Sequence, residues 1–225
     1  MTYVCSDLHG FYGEYLDFVE SVLTDEDELY IIGDVLNRGF YSIELVKDIM
    51  NRPNAVLLAG NHEKLLKESF EELCYAYSTE AVNSIIAESL SIDKMGQEQT
   101  LLDFAKLSKN EQHEILNFIS NLPIYKELSV NNKDYLLVHA GLPDFSGMPI
   151  EWYEEDDILF GPHDFDETHY EDTTIIVGHV PTRFITGATP DKIFRKNDTI
   201  AVDCGLGFGG QLGVLCLDND EEFYF

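Results

Sequence analysis

Three observations predict an α/β fold for this 225-residue chain. Short β-branched or aliphatic runs alternate with stretches of helical periodicity. Polar, glycine-centred clusters stand at the ends of those runs and punctuate them. The hydrophobic content is 44%, with 12% aromatic residues, which is enough for a full core and excludes a disordered acidic tail.

The elements follow in order. A first strand is predicted over 3–5, ahead of Asp7, Leu8, His9 and Gly10. Tyr15, Phe18, Val19, Val22 and Leu23 then share one helical face. A second strand over 29–32 runs into Gly33 and Asp34, and Ile43, Val46, Ile49 and Met50 mark a second helix. The third strand, 55–58, leads to Gly60, Asn61 and His62. From 63 to about 122 the pattern is helical, with Leu101, Phe104, Ala105, Ile115, Phe118 and Ile119 at helical spacing and Pro123 as a stop. Later strands are expected at 135–138, 174–177, 199–202 and 212–217. The acidic stretch of about 151–172, with Trp152, His163 and His169, is expected to be a long surface loop of the functional kind. No repeat, linker or domain boundary interrupts the chain, so one domain over 1–225 is expected.

Charge narrows the partners. The 42 acidic side chains outnumber the 14 basic ones, for a net charge of −28. Such a field repels phosphate backbones and anionic bilayers, so neither nucleic acid nor membrane is expected as a partner. No apolar run approaches the ~18 residues of a membrane span. The start of the sequence lacks the apolar run of a signal peptide, so a cytoplasmic location is expected. Cys5, Cys74, Cys204 and Cys216 form no CxxC pair and are expected as separate reduced thiols.

Side chains suited to metals recur where the strand-like runs end. Asp7 and His9, two apart, would point the same way from an extended backbone. Asp34 ends the second run, Asn61 and His62 follow the third, and His139 and His179 close two later ones. The carboxyl ends of strands form the ligand crevice of α/β sheets. Oxygen and imidazole donors without thiolate suit Mn²⁺, Fe or Zn²⁺ in a reactive site. So many independent strand ends delivering ligand-type residues point to one shared centre.

Ser6-Asp7-Leu8-His9-Gly10, Gly33-Asp34-Val35-Leu36-Asn37-Arg38-Gly39, Gly60-Asn61-His62-Glu63, Val138-His139-Ala140-Gly141 and Gly178-His179-Val180-Pro181-Thr182 occur in that order. Together with Val202-Asp203-Cys204-Gly205 and Gly209-Gly210, they resemble the calcineurin-like metallophosphoesterases, in particular the small bacterial and phage members of the serine/threonine protein phosphatase family. The resemblance spans nearly the whole chain. It implies a four-layer α-β-β-α sandwich forming a single catalytic domain with a helical insert at about 63–122. It also implies two divalent ions, Mn²⁺ first and Fe or Zn²⁺ as alternatives. Asp7, His9 and Asp34 would hold one ion; Asp34, Asn61, His139 and His179 would hold the other. Hydroxide between the metals would attack phosphorus in line. His62 would protonate the leaving group, oriented by Asn37, while Arg38 and Asn61 would bind the phosphate. The implied activity is hydrolysis of phosphomonoesters on a phosphorylated protein or a small molecule, in the manner of a serine/threonine phosphatase. A diadenosine tetraphosphatase-like nucleotide hydrolase is the enzymatic alternative, and a non-catalytic metal-binding scaffold the alternative of another class.

Three departures from the family pattern bear on specificity. Asn37 replaces the usual Asp, which leaves the His62 imidazolium without its partner charge. Ala59 stands where an Arg often precedes Gly-Asn-His-Glu. Leu159-Phe160-Gly161-Pro162-His163 replaces an aromatic followed by a phosphate-gripping Arg. The four arginines are Arg38, Arg52, Arg183 and Arg195. Arg52 is expected as a solvated charge, and Arg183 is close enough in sequence to His179 to reach the site. His113, His163 and His169 are expected at the surface, the last two with a substrate contact as the alternative. Asp203 is left between orienting a metal-binding His and making a turn. Gly209-Gly210 is expected to turn between strands.

Overall fold

Parallel βαβ units begin the chain. The computed structural model describes residues 1–92, 97–143 and 148–225. Strands β1 (Thr2–Cys5), β2 (Glu28–Ile32) and β3 (Ala55–Leu58) are linked by helices α1 (Tyr12–Ser21) and α2 (Ser42–Asn51). Tyr3 pairs with Leu29, and Leu29 with Ala55, in parallel register. Helices α3 (Asn61–Tyr75), α4 (Thr79–Ile92), α5 (Gln97–Lys106) and α6 (Lys109–Ser120) follow. The part of the expected helical stretch at 93–96 lies outside the described residues.

A second set of strands comes next: β4 (Tyr125–Val130), β5 (Lys133–Val138), β6 (Thr173–Val177), β7 (Phe194–Lys196) and β8 (Thr199–Ala201). Strands β9 (Gly213–Cys216) and β10 (Glu222–Tyr224) return to the first sheet. The result is two five-stranded sheets, ordered β10-β9-β1-β2-β3 and β4-β5-β6-β8-β7.

The period of two along each strand builds the layers. Tyr3, Cys5, Leu29 and Ile31 face α1–α6 in one core, while Val4, Tyr30 and Ile32 face the other sheet. Tyr135, Leu137 and Ile176 meet them from that sheet. Leu136, Val138, Ile175 and Val177 face outward beneath α7 (Glu155–Phe160). Two stacked sheets flanked by helices are therefore the architecture, with most of the helical mass on the first sheet.

Differences from expectation begin at the level of the elements. The 151–172 stretch is not all irregular, because α7 lies within it. Glu154 caps that helix with its backbone N–H on Asp157 Oδ2 at 3.1 Å, and Ile158 and Leu159 are buried. Edge strands β4, β7 and β10 escaped the sequence, being short or half-exposed and carrying little apolar signal. Arg52 is not simply solvated: its guanidinium ion-pairs with Asp48 at 3.0 Å, and Nε donates to Tyr15 Oη at 3.0 Å. No described helix is long and apolar enough to cross a membrane.

Candidate dinuclear metal centre

The centre forms where strand ends of both sheets meet. Just beyond β1 and β2 the chain turns through left-handed backbone at Asp7, His9, Asp34, Asn37 and Arg38, with φ between 46° and 70°. Asp7 and His9 thus converge through a tight left-handed turn, not through extended backbone. Crossed hydrogen bonds hold the turns together: Asp7 N to Gly33 O (3.1 Å), His9 N to Asp34 O (2.8 Å) and Gly39 N to His9 O (2.7 Å). Left-handed backbone is costly for residues other than glycine and marks a constrained site.

Glu63 braces the same turns. Its buried carboxylate accepts N–H bonds from Asp34, Val35, Leu36 and Gly60 at 2.8–3.2 Å. The pairing with Gly60 is one arm of a capping box at the start of α3. The sequence carries that signal in a Glu three residues after Gly60.

Two groups of donors lie within 4.8 Å of one another: His9, Asp34 and His62, and Asp34, His139 and His179. Asp34 belongs to both. Its Oδ2 lies 3.8 Å from the Nε2 atoms of His9 and His62, and its Oδ1 lies 3.5 Å from His139 Nε2. Asp7 Oδ1 is 3.8 Å from His9 Nε2, and Asp7 Oδ2 accepts from His179 N at 2.8 Å. Asn61 Oδ1 sits 2.9 Å from His139 Nε2 and 3.0 Å from His179 Nδ1. The structure therefore gathers Asp7, His9, Asp34, Asn61, His139 and His179, and adds His62 to the first group.

The donor chemistry fits cations. His139 Nδ1 donates its N–H to the Ile32 carbonyl at 2.9 Å. Its Nε2 is thereby turned into the site, towards Asn61 Oδ1, Asp34 Oδ1 and His179 Nδ1, the last at 3.2 Å. The two oxygens have no proton to offer, so positive charge is needed between these atoms; a proton on Nε2 supplies it in the metal-free site, and a bound cation would take that proton's place. Electrostatics agree. Burial opposes the charge on His139, but Asp34 and Asp7 outweigh it and hold the imidazole up at about 10. Burial, reinforced by Asp34, pushes Asp7 up to about 6 and Glu63 up to about 7. Burial also raises Asp203, whose neighbour Asp7 adds to the effect. Burial holds the imidazoles of His9 and His179 down, at about 3 and 4 respectively, so each is a neutral donor. So many buried carboxylates around one arginine lack positive charge, which bound cations would supply.

Around this centre, Asn37 is fully buried, with Nδ2 2.7 Å from His62 Nδ1. Arg38 lies beneath Phe208, its guanidinium carbon 4.0 Å from the ring centroid. Arg38 Nε and Nη1 are buried without a hydrogen-bond partner. Arg183 does not reach the site: it pairs with Asp191 through Nε and Nη2, and its Nη1 donates to the Phe208 carbonyl at 3.0 Å. His169 is buried and His163 half-buried, against expectation; their rings stack at 4.6 Å. His163 Nε2 bonds Thr199 Oγ1 at 2.8 Å, so its ring is used to join the loop to the sheet. Asp203 accepts from Gly205 N at 2.8 Å, the turn role, and lies close enough to Asp7 for the two carboxyls to oppose each other's ionisation. Gly205 and Gly209 take left-handed φ of 75° and 76°, and the loop between them brings Phe208 over Arg38.

Comparison with known proteins agrees with this architecture. The calcineurin-like phosphoesterase family model matches residues 2–205, and the chain belongs to that family. A symmetrical bis(5'-nucleosyl)-tetraphosphatase from Nitrosococcus oceani is 27% identical over 145 residues, covering 63% of this chain and 44% of the relative. Its counterpart from Coxiella burnetii is 28% identical over the same length, 42% of that protein. The match thus spans less than half the length of these curated relatives. Among solved structures, one described provisionally as a diadenosine tetraphosphatase superposes with a TM-score of 0.67 at 17% identity, over 100% of this chain and 92% of its own. A protein serine/threonine phosphatase from Saccharomyces cerevisiae does so at 0.56 and 16% identity, over 95% and 71%. At such identities the likeness is one of fold.

Proposed function

We propose that this chain hydrolyses phosphomonoesters with two divalent cations, Mn²⁺ foremost, held by Asp7, His9, Asp34, Asn61, His139 and His179. The observation that carries the reading is the convergence of Asn61 Oδ1, Asp34 Oδ1 and His179 Nδ1 on His139 Nε2, with Asp34 common to both donor groups. The cations, when bound, would neutralise phosphoryl oxygens and lower the pKa of a bound water.

The residues of the chain supply the rest. Arg38 offers the unpartnered N–H bonds of Nε and Nη1 for phosphoryl oxygens, and Phe208 stacked on its guanidinium fixes their direction. Hydrolysis breaks the bond from phosphorus to the leaving oxygen, and that oxygen must gain a proton. Asn37 donates to Nδ1 of His62, which puts the proton of the neutral ring on Nε2, the nitrogen that faces Asp34. On taking up a second proton, with the Asn37 amide turned to place Oδ1 on Nδ1, His62 would become the imidazolium that protonates the leaving oxygen from Nε2 and returns to the neutral ring. Glu63 keeps the Asp34 turn in place through its N–H bonds.

A second reading, hydrolysis of a dinucleoside tetraphosphate, is supported by the names of the curated relatives. The test is a substrate panel on Mn²⁺-loaded protein with metal content measured on the same sample. The panel comprises an aryl phosphate, a phosphoserine peptide and diadenosine tetraphosphate. Turnover of the first two supports the phosphomonoesterase, and turnover of the third alone supports the second reading. No turnover with two equivalents bound refutes both and leaves the metal-binding scaffold.

A further inference from the structure

Beside the metal centre opens a cavity of about 360 Å³ whose inner wall includes Ala140 and Gly178, the neighbours of His139 and His179. Its apolar lining comprises Pro162, Phe165, Val180, Phe184 and Ile185. Its polar lining comprises His163, Asp164, Asp166, Thr186 and Lys196. Phe184 is 64% exposed although it is a large apolar ring beside a charged site. It packs edge-on against Phe208 at 5.9 Å, and Phe208 covers Arg38 at 4.0 Å. An aromatic wall therefore runs without a break from the phosphate arginine into the cavity. The wall is stiffened from behind, since Arg183, beside Phe184, is locked to Asp191 and to the Phe208 carbonyl.

We infer that this cavity is the subsite for the nucleoside of a nucleotide substrate, with Phe184 as the ring on which the base stacks; the inference rests on the hydrolytic reading above. Charge sorts the two ends of such a substrate. Lys196 is tied to Asp166, and Asp164, which accepts the Asp166 backbone N–H at 2.8 Å, has no ion-pair partner among the described residues, so the cavity keeps a negative charge. Burial and the neighbouring His169 hold His163 down at about 4, so it adds no positive charge near neutrality. An anionic group is thus repelled from the cavity and drawn to Arg38 and the cations, while an uncharged ring with polar edges is accepted. Asp164 and Thr186 offer acceptors for exocyclic amino groups or ribose hydroxyls. The volume suits a base with its sugar, and apolar walls with a few polar groups are the usual make-up of a small-molecule pocket. A phosphorylated serine would leave this wall unused.

The experiment has a binding arm and a kinetic arm. Adenosine, which carries no phosphate, is titrated into metal-free protein and followed by NMR shifts. Saturable binding that Phe184→Ala weakens about tenfold and Phe184→Tyr restores is the expected result, as base–aromatic stacking requires. In the kinetic arm, the ratio of kcat/KM for adenosine monophosphate to that for glycerol phosphate, which has no ring, falls about tenfold in Phe184→Ala, mainly through KM. An unchanged ratio, or no adenosine binding, overturns the subsite. A ratio that holds for the nucleotide but falls for a phosphotyrosine peptide overturns the nucleoside in favour of a peptide ring. Adenosine binding without turnover of any phosphoester keeps the subsite and refutes the hydrolytic reading.

Discussion

The two halves of the metal centre are built differently. The half on the first sheet supports itself: its turns exchange backbone hydrogen bonds, and Glu63 ties Asp34, Val35, Leu36 and Gly60 into one knot. The half on the second sheet is oriented from across the gap. Ile32 O sets the His139 ring, Asp7 accepts the His179 backbone N–H, and Asn61 faces both imidazoles. One half is therefore a preformed socket, and the other takes its aim from it. Damage should propagate from the first sheet to the second more readily than the reverse.

The largest test removes the residue that the halves share. Asp34→Asn takes an anionic oxygen from both donor groups. Hydrolysis is expected to fall by at least about 10²–10³-fold, the scale seen when one group stabilising the transition state is lost. Elemental analysis should find both metals weakened together. Loss of one metal with the other fully retained would contradict a shared bridge.

The knot itself is the next target. Glu63→Gln replaces one acceptor oxygen with an NH₂ group that faces backbone N–H donors in a buried site. An unsatisfied buried donor costs about 1–3 kcal/mol. With one carboxylate oxygen serving two of these donors, a loss of about 2–4 kcal/mol in urea unfolding is expected. Metal affinity should fall at both halves. A stability loss under about 0.5 kcal/mol, no more than an ordinary surface substitution, would show that the turns hold without the brace.

What the sequence revealed follows the same division. The ligand residues were legible because each ends a strand with an apolar approach, as Asp34 does after Leu29 to Ile32. The strand cores were legible from their period of two. The brace was not, because one Glu at the start of a helix has the look of ordinary capping, and only the fold brings it to the backbone of a turn 29 residues away. The burial of His163 and His169 was hidden for a related reason. Acidic neighbours made 151–172 look solvated, whereas Ile158, Leu159 and the two stacked rings turn inward.

That stacked pair belongs to the second sheet, and it predicts a pH effect smaller than the loss of the brace. Burial, with His169 alongside, lowers His163 to about 4 from 6.5. For an imidazole depressed by folding, the unfolded chain binds the proton more readily. Its contribution is thus fully present above pH 6.5 and is lost as pH falls towards 4, by up to about 3 kcal/mol. His163→Gln should flatten that part of the profile relative to the unsubstituted protein, as read by urea midpoints between pH 4 and 7. Parallel profiles would remove His163 from the acid sensitivity and leave it to the centre.

The smallest expected effect falls back on the first half. Asn37 gives His62 a hydrogen bond at 2.7 Å but no charge, and its Oδ1 is buried without a partner. A carboxylate at that position would accept an N–H from Nδ1 and favour the imidazolium, a better proton donor at Nε2. Asn37→Asp should therefore speed hydrolysis of alkyl phosphates, whose leaving oxygens need the proton, by up to about tenfold, within the range of general acid catalysis. Aryl phosphates, whose phenolate leaves unaided, should change little. The comparison is internal to one variant, so altered metal loading would move both substrates together and be recognised. An equal rise for both substrates, or none for the alkyl ester, would remove His62 from the role of proton donor and leave it as a further nitrogen beside His9 and Asp34.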